Sequence, residues 1–361
     1  GKTLAIVKGD KLPNALDFLS HVKDSNPANF SITHVYFADY SKLPNQVGTH
    51  DVFMEINDTA KNIRKIPARL IVVDTAYGVS ANDFVVNLSE LKGNDTDEKL
   101  QTYLLSQAQA KAWGIDKKTL IDYTDKLSIA DLTSIKQMKA GKYQLKTSFD
   151  QTAINPNAKG EKLFKVTVLN DEAVSPTDPE NPGEGSPKEK ENGGTGQTGL
   201  LKLDYAPTSF DFGTVKYGFD AVDRNAKKTL SDKQWLQVSD NREETKHTNW
   251  SVQVAQNHTL QSSDGKELKG ATIQIPEGKK YNQNYTGKEI IGENGPLISN
   301  RVDISTEPST IFQTDNQQGI MGDISTNVWN ASDVKLHIPG NQILDYTDYT
   351  NTINWTLIAE P

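Results

Sequence analysis

The chain has 361 residues, a net charge of −8 at pH 7 and a pI near 5.4. An acidic chain lacks the basic surface that nucleic acids bind, so we expect no nucleic-acid partner. The absence of cysteine excludes disulfides and thiolate metal sites. No run approaches the roughly 18 apolar residues that a membrane-spanning helix needs, so we also expect no membrane span.

The first part of the chain is predicted to form two related β modules, 1–74 and 75–170. Both contain short β-type runs separated by turns rich in Pro, Gly and Asn, a spacing that favours a β-sandwich. Gly48 and Gly141 each open an alternating strand, and each module closes with a second β-rich strand. The second module is longer, and its extra residues near 94–114 include an amphipathic helical pattern.

Residues 171–199 are predicted to be a flexible linker. They contain four prolines, six glycines and no large apolar residue except Val174. A segment of this composition has little to bury that could offset its ordering entropy. It is therefore the clearest predicted domain boundary in the chain.

Residues 200–361 are predicted to form an all-β domain, because alternating strands recur throughout and no long helical period is present. At the chain's end, Trp355 and Leu357 fall on one face of a predicted strand. The expected partner is 249–254, in which Trp250 also alternates with polar residues. Two Trp-bearing strands are thus predicted to pair and to close the domain.

Four sequence features carry a family resemblance in this domain. They are Leu203-Asp-Tyr-Ala-Pro-Thr-Ser-Phe-Asp-Phe-Gly213, Trp235-Leu-Gln-Val-Ser-Asp-Asn-Arg242, Trp250-Ser-Val252 and Trp355-Thr-Leu357. In order and spacing they resemble the WxL family of Gram-positive surface proteins, although Val252 stands where the family commonly has Leu. The two N-terminal modules resemble bacterial immunoglobulin-like repeats.

These resemblances imply a secreted protein held non-covalently on peptidoglycan at the cell wall or cell surface. They also imply N-terminal spacer modules and, as further partners, other surface proteins encoded with it. No LPxTG-like sorting signal follows Trp355, so we expect no covalent attachment to the wall. Because no signal peptide is seen in the sequence, the expectation of export depends on the resemblance.

The Trp motifs supply the first candidate ligand-binding residues: Trp250, Trp355 and Leu357. An aromatic face can stack on the apolar face of a sugar ring, which would make these strands a binding platform. Their period-two placement is equally explained by core packing, since a Trp side chain can bury about 150–250 Å². The sequence is compatible with both interpretations.

A polar trio, Asp240, Asn241 and Arg242, supplies the other candidates. Asp240 and Arg242 would share one side of an extended segment and could form a buried ion pair that fixes a loop. Alternatively, the planar guanidinium of Arg242 could hold a glycan hydroxyl or a stem-peptide carboxylate. Asn241 could assist in either role.

No catalytic residue, metal site or cofactor is predicted. The six histidines show no metal-ligand spacing, and no nucleophile motif occurs. Two other functions remain open. The chain could be an adhesin for host matrix proteins with its ligand site in 1–170, or a carbohydrate-active enzyme that uses a pair of carboxylates.

Overall fold

The computed structural model confirms the predicted all-β class. Twenty-three β-strands and two short α-helices lie in the part of the chain that the structure describes, and no helix there is long and apolar enough to cross a membrane. The chain divides into two compact units. The N-terminal unit is Gly1–Val86 with Glu90–Val168, and the C-terminal unit is Asn87–Ser89 with Leu169–Pro361. The described residues are 1–21, 35–37, 46–57, 61–184, 193–216, 218–228, 232–285, 287–291, 295–315, 323–342 and 346–360.

The first sheet of the N-terminal unit has the strand order β1-β4-β3-β2. β1 is parallel to β4, and the other pairs are antiparallel. Apolar residues at alternate positions of these strands face a core that includes Leu4, Met54 and Leu70. The strand bounds are β1 (Thr3–Val7), β2 (Val35–Phe37), β3 (Gly48–Asn57) and β4 (Ile63–Val73).

Two further sheets follow in the chain, with orders β6-β11-β10-β9 and β5-β7-β8. Their strands are β5 (Tyr77–Ser80), β6 (Phe84–Asn87), β7 (Lys111–Asp116), β8 (Thr119–Asp122), β9 (Ser128–Ile129), β10 (Gly141–Asp150) and β11 (Lys159–Leu169). The helices α1 (Leu88–Lys92) and α2 (Asp97–Gln107) interrupt them. The α2 helix lies inside the predicted insertion, and the Thr96 side chain caps its first turn by accepting from the Lys99 amide.

The predicted equivalence of Gly48 and Gly141 has a structural counterpart. Both have a φ near +150°, and each opens a ten-residue strand that pairs antiparallel with an eleven-residue strand. Gly48 lies opposite Val72, and Gly141 lies opposite Val168. These are corresponding positions of the two hairpins, one residue before the end of the returning strand. The immunoglobulin-like assignment and the boundary at 74/75 stay predictions.

The C-terminal unit contains three four-stranded sheets, with orders β12-β14-β21-β17, β13-β22-β16-β19 and β18-β20-β15-β23. Their apolar faces share one core, which includes Leu236, Trp250 and Phe312. The first six strands are β12 (Leu201–Tyr205), β13 (Val222–Asn225), β14 (Lys233–Asp240), β15 (Trp250–Gln256), β16 (Thr272–Ile275) and β17 (Lys279–Asn282). The others are β18 (Leu297–Ser299), β19 (Val302–Ile304), β20 (Ser309–Thr314), β21 (Asp323–Asn330), β22 (Lys335–Ile338) and β23 (Ile353–Ala359).

The prediction of a flexible linker is wrong for residues 171–184, hereafter the strap. The amide and hydroxyl of Thr177 donate to the Gln237 side chain, and Thr326 donates to the carbonyl of Pro179. The three strap prolines are buried. Composition misled here because proline rings and backbone carbonyls, rather than large apolar side chains, make the contacts. Residues 185–192 of the predicted linker lie outside the described residues.

Candidate functional site

The predicted pairing of the terminal strand is confirmed. β23 pairs antiparallel with β15, with Trp355 opposite Val254 and Leu357 opposite Val252. β23 is the last strand of its sheet, so one of its edges has no neighbouring strand among the described residues. The two Trp motifs therefore lie on adjacent strands, as their alternation indicated.

Trp250 belongs to the core. Its exposed fraction is 0%, and its ring packs edge-to-face on Phe312, with centroids 5.1 Å apart and an interplanar angle of 72°. Such a contact stabilises the pair beyond the area it buries. A fully covered ring offers no surface to a ligand. The structure therefore contradicts a ligand-contact role for Trp250 and agrees with the core interpretation.

Trp355 and Leu357 are half-buried rather than fully covered. Both pack against the main core from the edge strand, and the Trp355 indole Nε1 donates to the carbonyl of Pro207 at 3.3 Å. Asn354 and Thr356, on the other face of β23, are exposed. The Trp355 side chain thus fastens the terminal strand to the segment that follows β12.

The backbone N–H and C=O groups of the two motif residues in β23 point away from β15. The Asn257 amide donates to the Thr352 carbonyl at 2.9 Å, on the β15 side. In an antiparallel ladder, alternate residues bond to the same neighbour. The backbone groups of Trp355 and Leu357 therefore point to the open edge of the sheet.

Asp240 and Arg242 form a two-pronged ion pair. The guanidinium Nε donates to Asp240 Oδ1 at 2.8 Å, and a terminal nitrogen donates to Oδ2 at 2.7 Å. The guanidinium also donates to the hydroxyl and to the carbonyl of Thr248, at 2.9 and 2.6 Å. The Asp240 side chain is 1% exposed. Four donor contacts inside the protein leave little of the Arg242 fork for a ligand, which favours the loop-fixing interpretation.

The loop that this ion pair fixes joins β14 to β15 and ends beside the terminal strand. His247 Nε2 lies 2.8 Å from the Arg242 carbonyl, and the Glu360 amide donates to the Asn249 carbonyl at 2.8 Å. Asn241 is half-buried, and its side-chain amide makes no hydrogen bond among the described residues. Its backbone amide donates to the Leu200 carbonyl at 2.7 Å. A ligand role for Asn241 stays a prediction.

Sequence reasoning missed a buried polar cluster on β12 and β14. Asp204 accepts from Ser239 Oγ at 2.5 Å and from Gln237 Nε2 at 3.1 Å, while its Oδ1 has no partner. Burial raises the pKa of Asp204 to about 6, against the lowering effect of these hydrogen bonds and of the Lys202 charge. Lys202 is 1% exposed and donates to two carbonyls. The alternating polar letters of Leu201-Lys-Leu-Asp-Tyr205 were the available signal, but they also fit a solvated face.

The described part of the chain contains no residues grouped so that they could form a metal site. Among those residues, no group of three or more His, Asp or Glu side chains could hold a metal ion.

The geometry defines an all-β unit closed by a terminal Trp-x-Leu strand that is fastened to its core. A family model for the WxL domain, described as a surface cell-wall-binding domain, matches residues 156–361, more than half of the chain. The chain therefore belongs to the WxL family. As a member, it carries a surface domain of the cell-wall-binding kind, and its location is the cell wall or cell surface.

Other comparisons are distant. The chain is similar to the CBM51-2 and INT domains of Clostridium perfringens ZmpB, solved in complex with GlcNAc, at 10% identity and a TM-score of 0.20, over 73% of this chain and 48% of that one. It thus spans about half of that structure. A chaperone–tip adhesin complex of CFA/I fimbriae matches at 8% identity and a TM-score of 0.27, over 100% of this chain and 95% of that one. Scores this low carry no argument. No curated protein matches the chain.

Proposed function

We propose that the C-terminal unit binds peptidoglycan and that the N-terminal unit serves as a spacer or interaction region. The observation that carries this proposal is the extent of the family match, which covers the strap and all three sheets of the C-terminal unit and stops short of most of the N-terminal unit. The role is binding rather than catalysis. Contacts of the N-terminal unit with other surface proteins or with host matrix proteins stay predictions.

The contact surface that we propose lies at the open edge of β23 and the adjoining loop after β14. The side chain of Asn241 and the outward backbone groups of Trp355 and Leu357 supply hydrogen-bonding groups there. Asp240 and Arg242 hold the loop in place, and the Trp355 ring holds the edge strand. In this arrangement the motif residues position the binding surface, and a glycan or stem peptide contacts the polar groups beside them.

Co-sedimentation of the whole chain with purified peptidoglycan sacculi tests the proposal. We expect Asn241→Ala to weaken binding without changing the melting temperature, because its amide has no internal partner to lose. Arg242→Ala should lose binding through loss of the loop, with a lower melting temperature. An exposed substitution on the other face of β23, Thr356→Ala, is the matched control and should bind as the wild type does. Unchanged binding by both Asn241→Ala and Arg242→Ala would contradict this surface.

A further inference from the structure

The open edge of β23 carries a regular row of backbone groups. At one end of the strand the Asn257 amide donates to the Thr352 carbonyl, and at the other the Glu360 amide donates to the Asn249 carbonyl. Both bonds lie on the β15 side, so the even-numbered residues between them bond to β15. The odd-numbered residues direct their N–H and C=O groups to the other side, where no backbone partner lies among the described residues. They are Ile353, Trp355, Leu357 and Ala359.

This edge has none of the features by which proteins usually protect an exposed strand. Those features are a very short strand, a bulge, a proline or a charged side chain. β23 has seven residues without charge or proline, and its register with β15 is continuous from Ile353 to Ala359. The side chains on its exposed face are uncharged as well: Asn354, Thr356 and Ile358. An unprotected edge of this length can accept another strand.

The spacing of the edge groups matches that of an extended peptide. Residues that face the same side of a strand are about 6.8 Å apart, and each presents one donor beside one acceptor. A second extended chain repeats its own donors and acceptors at the same interval, so several hydrogen bonds form in one register. A glycan strand presents mainly hydroxyl groups and has no such backbone repeat. The edge therefore suits a peptide better than a sugar chain.

We propose that β23 binds the stem peptide of peptidoglycan as an added strand along its open edge. This inference rests on the proposed function, because it names the part of the wall polymer that the same surface binds. The edge is held ready for the ligand, since the Trp355 indole donates to the Pro207 carbonyl at 3.3 Å and packs against the core. The side chain of Trp355 then fixes the strand, and the backbone of the strand contacts the peptide.

Proline substitutions test the two sides of the strand separately. Leu357→Pro removes an N–H that points to the open edge, where proline is tolerated. Sacculus binding by the whole chain should weaken roughly tenfold, because a hydrogen bond is lost and the proline ring obstructs the incoming strand. Leu357→Ala keeps the N–H and is the matched control, which should bind within about twofold of the wild type. Thr356→Pro removes an N–H that bonds to β15, so it should lower the melting temperature more than Leu357→Pro does.

Competition separates binding of the peptide from binding of the glycan. An N-acetylmuramoyl-L-alanine amidase cuts purified sacculi between sugar and peptide. The soluble peptides and the glycan strands are then added separately to the wild-type chain bound to intact sacculi. We expect the peptide fraction to displace the chain and the glycan fraction to leave it bound.

Two results would overturn this inference and leave peptidoglycan binding in place. One is displacement by the glycan fraction, or none by the peptide fraction, a result that does not depend on the folding of any variant. The other is a folded Leu357→Pro variant that binds sacculi as tightly as the wild type does. Absence of saturable sacculus binding by the wild type would instead refute the proposed function itself.

Discussion

Asp204→Asn should stabilise the C-terminal unit at neutral pH. The Asp204 carboxyl is 1% exposed, and one of its oxygens has no partner. An asparagine at this position keeps a side-chain oxygen that can accept the hydrogen bond from Gln237, and it places an uncharged group beside Ser239. Because the buried site disfavours a negative charge, removal of that charge should raise the free energy of unfolding.

The size and the pH range of the effect follow from the pKa. A folded-state pKa of about 6, against the ordinary value of 3.8, corresponds to about 3 kcal/mol. Below pH 3.8 the carboxyl is protonated in both the folded and the unfolded state, and its stabilising effect is fully present. As the pH rises through the folded-state pKa, the wild type loses that stability, whereas the Asp204→Asn variant does not.

The assay is thermal unfolding at a series of pH values, followed by tryptophan fluorescence. The melting temperature of Asp204→Asn minus that of the wild type should be near zero at about pH 3.5. It should rise to about 6–12 °C above about pH 6. Asp211→Asn is the control, because Asp211 is exposed and its pKa is lowered by Lys227, so its loss should not stabilise. A difference that is absent, or equal at all pH values, would refute the account of this buried cluster.

Three further predictions concern the residues beside the motif strands. Trp250→Ala should lower the free energy of unfolding by about 3–5 kcal/mol in urea titrations, because the substitution leaves a cavity against Phe312. A decrease under about 1 kcal/mol would contradict the assignment of Trp250 to the core. Arg242→Ala should lower the free energy of unfolding by about 3–5 kcal/mol, since Asp240 would stay buried without its partner. Stability equal to that of the wild type would exclude a structural role for the ion pair. Trp355→Phe should lower the free energy of unfolding by only about 0.5–1.5 kcal/mol, because the ring contacts remain and only the hydrogen bond to Pro207 is lost. A decrease as large as that of Trp250→Ala would show that the two motif residues are buried alike.

The sequence predicted the parts of the fold that depend on local alternation. The pairing of the terminal strand with 249–254 followed from period-two apolar residues in both segments, and the structure has that pairing residue by residue. The strap could not be predicted in this way. Its contacts depend on the side chains of Gln237 and Thr326, which are far from it in sequence, and composition does not encode such partners.

The candidate site shows the same division. Proximity in sequence placed Asp240 beside Arg242, and the structure joins them. Sequence did not separate Trp250, which is wholly buried, from Trp355, which is half-buried. Both fall at alternating positions, and their difference arises because β15 is an inner strand and β23 is an edge strand. Strand order within a sheet is a tertiary property, and period-two patterns do not report it.

Co-sedimentation with purified peptidoglycan sacculi, with the melting temperature of every variant measured alongside, is the most direct test of the central claim. The wild type should bind saturably. Trp355→Ala should lose binding only together with a lower melting temperature, because Trp355 fastens the strand that carries the surface. A Trp355→Ala variant that keeps its melting temperature and loses sacculus binding would contradict the account, since Trp355 would then itself contact the ligand. Absence of saturable wild-type binding would contradict the proposed peptidoglycan function as a whole.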